Sequence, residues 1–139
     1  MNSESVGVVI DTNIWVSMAI GSRVVAEQMQ TIIQRSDIEL YISVELLDEL
    51  TETLSKQRLQ KYLTQERTQS LFDLIWLEAK LIQVNRANTY CRDPKDDFII
   101  NLAVEAKAHF IVTGDDDLLV LNPIDQIQVL TLSEVVQRF

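Results

Sequence analysis

Apolar positions along this chain come in short separate blocks, and their spacing changes from block to block. VGVVI, residues 6–10, is unbroken and rich in β-branched side chains, which predicts a strand covered on both faces. Residues 14–20 and 24–35 read as helices, the second with Val25, Met29, Ile32 and Ile33 on one side. Residues 38–42 predict a second strand. Ser43 then suits the N-cap of a helix whose apolar stripe is Leu46, Leu47, Leu50 and Leu54. A short extra helical turn is expected at 59–62. Thr64 suits the cap of a further helix with Leu71, Leu74, Ile75 and Leu77 inward. Residues 81–84 predict a third strand, 94–108 a helix, 110–113 a fourth strand and 127–130 a weaker fifth. A helix from Leu132 closes the chain.

Strands that alternate with helices over short links predict a three-layer α/β/α fold around a parallel sheet of four to five strands. Right-handed crossovers place every strand's C-terminal end on one edge of that sheet, and ligands bind beyond that edge. No linker, repeat or low-complexity run interrupts the pattern, so residues 1–139 are expected to form a single domain.

Charge narrows the chemistry. The chain carries 21 acidic and 12 basic side chains, a formal net charge of -9. A polyanion would not adhere to such a surface by charge alone, although a nucleic acid held through metal ions is compatible with it. The single cysteine, Cys91, allows no internal disulfide and reads as an inert, partly buried thiol. The single histidine, His109, opens an apolar run and reads as structural. Thiol–histidine catalysis is therefore not indicated. Residues 1–10 lack the features of a secretory signal, and no apolar run approaches the roughly 20 residues of a membrane helix. A cytoplasmic protein with no membrane association is expected.

The candidate chemistry lies in four groups of acids. Asp11 stops the first strand and fits either an N-cap or a ligand, and Asn13 can share either role. In SVELLDELTETL, Glu45, Glu49 and Glu52 share a helical stripe. Glu49 sits beside Leu46 and Leu50 at the edge of the apolar face, so it is the acid expected to be half-buried. In RDPKDDFIINLA, Asp93 before Pro94 reads as a cap. Helix phase puts Asp96 on the stripe of Ile99, Ala103 and Ala106, toward the interior. It puts Asp97 with Asn101 and Glu105, toward solvent or a cleft rim. In TGDDDLL, Asp115 and Asp117 fall on one side if the segment is extended, with Asp116 turned away and Thr113 able to orient a carboxylate or water. Asp11 and Asp115 both follow strands directly, so they should project from the same sheet edge. Oxygen-only ligands of this kind suit Mg²⁺ or Mn²⁺ rather than Zn²⁺.

VVIDTNIWVS, LLDEL, CRDPKDDFIINLA and FIVTGDDDLL, in this order, resemble the PIN-domain nucleases, in particular the small single-domain bacterial proteins that act as toxins of toxin–antitoxin pairs. The likeness covers nearly the whole chain. It implies a PIN-like parallel α/β sheet and an endoribonuclease that uses one or two Mg²⁺ or Mn²⁺ ions. By position it assigns Asp11, Glu49, Asp96 and Asp115 as catalytic metal ligands. Asp117 is a further ligand, and Asn13, Thr113 and Asp97 support. It also implies an RNA substrate, an antitoxin partner and a homodimer, for which Trp15 and Trp76 are candidate contact residues. Lys56, Arg58, Lys61, Arg92 and Lys95 are candidate RNA contacts, alongside a bland reading as solvated surface.

Two other classes share parts of this pattern. A haloacid-dehalogenase-like aspartyl-phosphate phosphatase also places an Asp after its first strand, but it wants a second Asp where this chain has Asn13. A receiver-like Mg²⁺-binding signalling module wants an acidic pair at the first strand's end, which Ile10 and Asp11 do not supply.

Overall fold

The computed structural model describes residues 5–85 and 94–139, the side chains of Pro94, Lys95 and Asp96 excepted. Five strands form one sheet: β1 (Val6–Ile10), β2 (Ile38–Ile42), β3 (Ala79–Leu81), β4 (Phe110–Val112) and β5 (Gln128–Leu130). Their order is β3-β2-β1-β4-β5, and every pairing is parallel. The helices are α1 (Thr12–Ala19), α2 (Arg23–Ile33), α3 (Val44–Leu54), α4 (Gln65–Glu78), α5 (Pro94–Ala106), α6 (Asp116–Leu119) and α7 (Leu132–Arg138).

β1 is the central strand, and its last three residues are essentially inaccessible to solvent. An unbroken apolar run is what a strand needs when helices cover both its faces. From β1 the chain winds outward through β2 to β3, then returns across the sheet to β4 and β5. That reversal makes the gap beyond β1 and β4 the topological switch point, where the connections leave in opposite directions and open a crevice.

The helix starts are set locally. Ser43, Thr64 and Thr131 each accept a hydrogen bond from the backbone N–H three residues on. Thr131 also forms a reciprocal pair with Glu134. His109 is structural, as its place in the sequence suggests: its Nδ1 accepts the N–H of Gly7 at 2.9 Å, tying the loop before β4 to β1.

Several expectations need correction. The third strand starts at Ala79 rather than 81, because α4 runs straight into it and Ala79 pairs with Leu40. The extra turn is a 3-10 turn at Gln57–Leu59. Leu77 is 78% exposed. It lies six positions from Leu71, about 240° round the helix, whereas Leu71 and Ile75 share the buried side. Trp15 is buried, since α1 packs against α2, α3 and α4. It is therefore no surface contact, whereas Trp76 is exposed. Cys91 and Asp93 lie outside the described residues.

Candidate active site

Asp11 ends β1 and caps α1. Its Oδ1 accepts the Thr12 N–H at 2.7 Å, and its Oδ2 accepts the Thr113 hydroxyl at 2.6 Å. Its own N–H donates to the Val112 carbonyl at 2.9 Å, so the β1–β4 pairing continues to the strand tip. The cap and the buried carboxylate are thus one and the same residue, and the two readings of Asp11 are compatible.

Thr113 joins the two strand ends. While its hydroxyl donates to Asp11, it accepts the Asp115 N–H at 3.0 Å. Asp115 in turn caps α6, accepting the Asp117 N–H on Oδ1 at 2.9 Å. The TGDDDLL segment is therefore a turn into a short helix rather than extended. The Asp115/Asp117 alternation expected of an extended chain does not hold, and Asp116 and Asp117 are both exposed.

Asp11 is only 6% exposed. Burial pushes its carboxyl above the usual carboxylate range, the bonds from Thr113 and the Thr12 N–H oppose that rise, and the negative charges of Glu49 and Asp115 add to it. The last two influences show that Glu49 and Asp115 lie within electrostatic range of Asp11. Glu49 is half-buried on α3, between the buried Leu46 and Leu50, as its stripe position implied. Glu49 and Asp115, both singled out by sequence, are thus near enough for their charges to act on Asp11.

On α5, the expected exposure of Asp97 requires a correction. Asp97 is buried at 9% exposure rather than turned to solvent, and Asn101, one turn on, is buried at 5%. α5 packs against β1, β2 and β4 and also touches α3, so its covered face is broader than one apolar stripe. Ile99, Ile100, Leu102 and Ala103 are all buried on it. The side chain of Asp96 lies outside the described residues.

Asn13 is exposed on the first turn of α1. Lys56, Arg58 and Lys61 are exposed around the 3-10 turn beyond α3, with Lys61 Nζ 5.0 Å from the Tyr62 ring centre. Arg92 and the Lys95 side chain lie outside the description. One buried polar group at the site was not anticipated. Thr12 is 1% exposed, and its hydroxyl has no hydrogen-bond partner among the described residues. The only sequence signal was a hydroxyl residue opening a helix whose other buried positions are apolar.

Among the described residues, no group of three or more His, Cys, Asp and Glu side chains stands close enough to hold a metal ion. The donor chemistry nonetheless fits a hard divalent cation. The gathered side chains are carboxylates, a buried one among them is disfavoured in its charged form, and a cation would relieve that burden.

Comparison with known proteins agrees with this architecture. A family model described as PIN domain matches residues 7–117. The uncharacterized protein MJ1680 of Methanocaldococcus jannaschii is 32% identical over 123 residues, covering 88% of this chain and 79% of that protein. Among solved structures, VapBC2 from Rickettsia felis bound to a DNA fragment from its promoter superposes with a TM-score of 0.58. The identity is 16%, over 88% of this chain and 96% of that one. The PIN domain endonuclease Utp24 aligns more loosely, with a TM-score of 0.49 and 19% identity over 84% of this chain and 76% of that one.

Proposed function

The chain belongs to the PIN-domain family, whose nucleases are hydrolytic endonucleases, and on that premise we propose that it is a metal-dependent endoribonuclease, acting as a single domain over residues 1–139. The observation that carries this reading is Asp11: a buried carboxylate held by Thr113 at the switch point, with Glu49 and Asp115 in electrostatic range.

Asp11, Glu49, Asp115 and an acid from the first turn of α5 would hold Mg²⁺ or Mn²⁺. Asp97, buried on α5, is taken for that last position, with Asp96 the alternative that helix phase gives. A bound ion supplies charge neutralisation for the phosphodiester and lowers the pKa of an attacking water. The chain's own residues do the positioning. Thr113 fixes the Asp11 carboxylate and, through the Asp115 N–H, the loop that carries Asp115. Asp117 adds its N–H to Asp115 and stands as an exposed acid beside the loop, and Asn13 stands exposed beside Asp11. The exposed Lys56, Arg58 and Lys61 offer phosphate contacts on a surface of net charge -9.

The reading extends to a role as the toxin of a toxin–antitoxin pair, supported by the fold likeness to VapBC2. The antitoxin would reach the acidic edge with a cationic side chain, Arg being suited because it meets carboxylates in two-pronged fashion. The decisive assay is degradation of RNA by purified protein with Mg²⁺ or Mn²⁺ and with EDTA. Cleavage that stops under chelation and in Asp11→Asn is expected. Equal cleavage with EDTA overturns the metal dependence, and phosphatase activity without any RNA cleavage transfers the assignment to the aspartyl-phosphate class.

A further inference from the structure

Thr12 raises a problem that packing does not solve. It opens α1 at 1% exposure, and its backbone N–H is already used on Asp11, yet the hydroxyl Oγ1 is unbonded among the described residues. Buried polar groups nearly always have a partner in the protein or in ordered water, so each exception calls for one. Valine has the same shape and would fill the place without an unbonded hydroxyl. The other buried positions of α1 are the apolar Ile14, Trp15, Val16 and Ala19. A hydroxyl here is therefore best understood by what it could bind.

Its place in the chain indicates the partner. The Cα–Cβ bonds of a helix tilt toward its N-terminus, so the side chain of the first helical residue leans back toward the strand tip. That tip carries Asp11, both of whose carboxylate oxygens are fixed. Mg²⁺ and Mn²⁺ sites keep several water ligands, each with protons to donate and an orientation to be set. Side chains that orient ligands from outside the coordination sphere tune metal affinity.

We propose that Thr12 is a positioning residue for the cation at Asp11, its buried hydroxyl bonding a water molecule of that cation's hydration shell. This rests on the metal-dependent reading above and adds a residue to it. The hydroxyl would hold the water in place, and the metal-loaded protein would satisfy a group that the metal-free protein leaves unbonded.

The test is Mn²⁺ titration by calorimetry, with melting curves in the absence of metal, on wild type, Thr12→Val, Thr12→Ser and Asp11→Asn. Thr12→Val should bind Mn²⁺ about tenfold more weakly. Without metal it should melt at or above the wild-type temperature, since a methyl replaces an unbonded hydroxyl. Thr12→Ser should keep near wild-type affinity. Wild-type affinity in Thr12→Val overturns the proposal while leaving the metal site intact. So does equal loss in the serine variant, which would trace the effect to packing. A metal-free Thr12→Val that melts well below wild type also overturns it, by showing that the hydroxyl already has a partner in the fold. If wild type binds no Mn²⁺, or Asp11→Asn binds as wild type does, the metal site at Asp11 is itself wrong and both readings fall.

Discussion

Asp11 stands where its surroundings disfavour the charged form of its carboxyl. Burial raises its pKa above the ordinary value of 3.8, and the neighbouring charges of Glu49 and Asp115 add to the rise. A carboxyl whose pKa is higher folded than unfolded lends stability at low pH, where it is protonated in both states. It gives up that stability as pH climbs through the folded value. Asp11→Asn keeps a capping side chain but has no charge to bury. Metal-free Asp11→Asn should therefore melt above wild type at neutral pH, and the gap should close as pH falls below the carboxylate range. Adding Mn²⁺ should reverse the order, because only wild type gains a bound ion. Calorimetric melting across acid to neutral pH decides it. A variant that melts lower at neutral pH would mean that the bonds from Thr113 and Thr12 outweigh the burial.

Among the elements, α5 shows how packing can overrule a single-stripe reading. Its neighbours β1, β2, β4 and α3 cover more of its circumference than one row of side chains. Asp97 and Asn101, placed on the polar side by phase, are both buried. This makes the first turn of α5 the place where the site assignment is most open to test. Asp97→Asn should lower RNA cleavage by at least about a hundredfold and weaken Mn²⁺ binding, as loss of a ligand charge does. Asp96→Asn should retain substantial activity. If instead Asp96→Asn is the inactive protein, the original phase assignment stands and Asp97 is buried for packing reasons alone. α4 shows the complementary case: Leu77, though apolar, is out of phase with Leu71 and Ile75 and is left in solvent.

For the whole molecule, the sheet order and the surface matter most. Winding outward to β3 and back to β4 creates the crevice at the Asp11 and Asp115 tips, so the acids and the switch point coincide. No helix among the described residues is long and apolar enough to cross a membrane. Far along the sheet, at the β3 edge, Trp76 is 85% exposed and Leu81 58%, and the two border one shallow apolar hollow with Phe72 and Leu47. Exposed apolar surface of this kind commonly marks an interface. The homodimer proposed on family likeness would use it, and Trp76→Lys should then shift sedimentation from dimer to monomer while leaving the melting temperature nearly unchanged. A dimer that survives this change places the contact elsewhere.

Local chemistry was readable without coordinates because neighbours in sequence decide it. VGVVI had to be a covered strand, Ser43 and Thr64 had to start helices, and parallel strands had to carry Asp11 and Asp115 to one edge. Glu49's half-burial followed from its place beside Leu46 and Leu50. What depends on a distant surface was not readable. Ala79 begins β3 because Leu40 is there to pair with it. Trp15 is enclosed because three helices meet around α1. Asp97 is covered because α5 has neighbours on more than one side, and the Thr12 hydroxyl is stranded because packing closes over it. Periodicity fixes which residues share a face, but only the assembled layers fix how wide a face is buried.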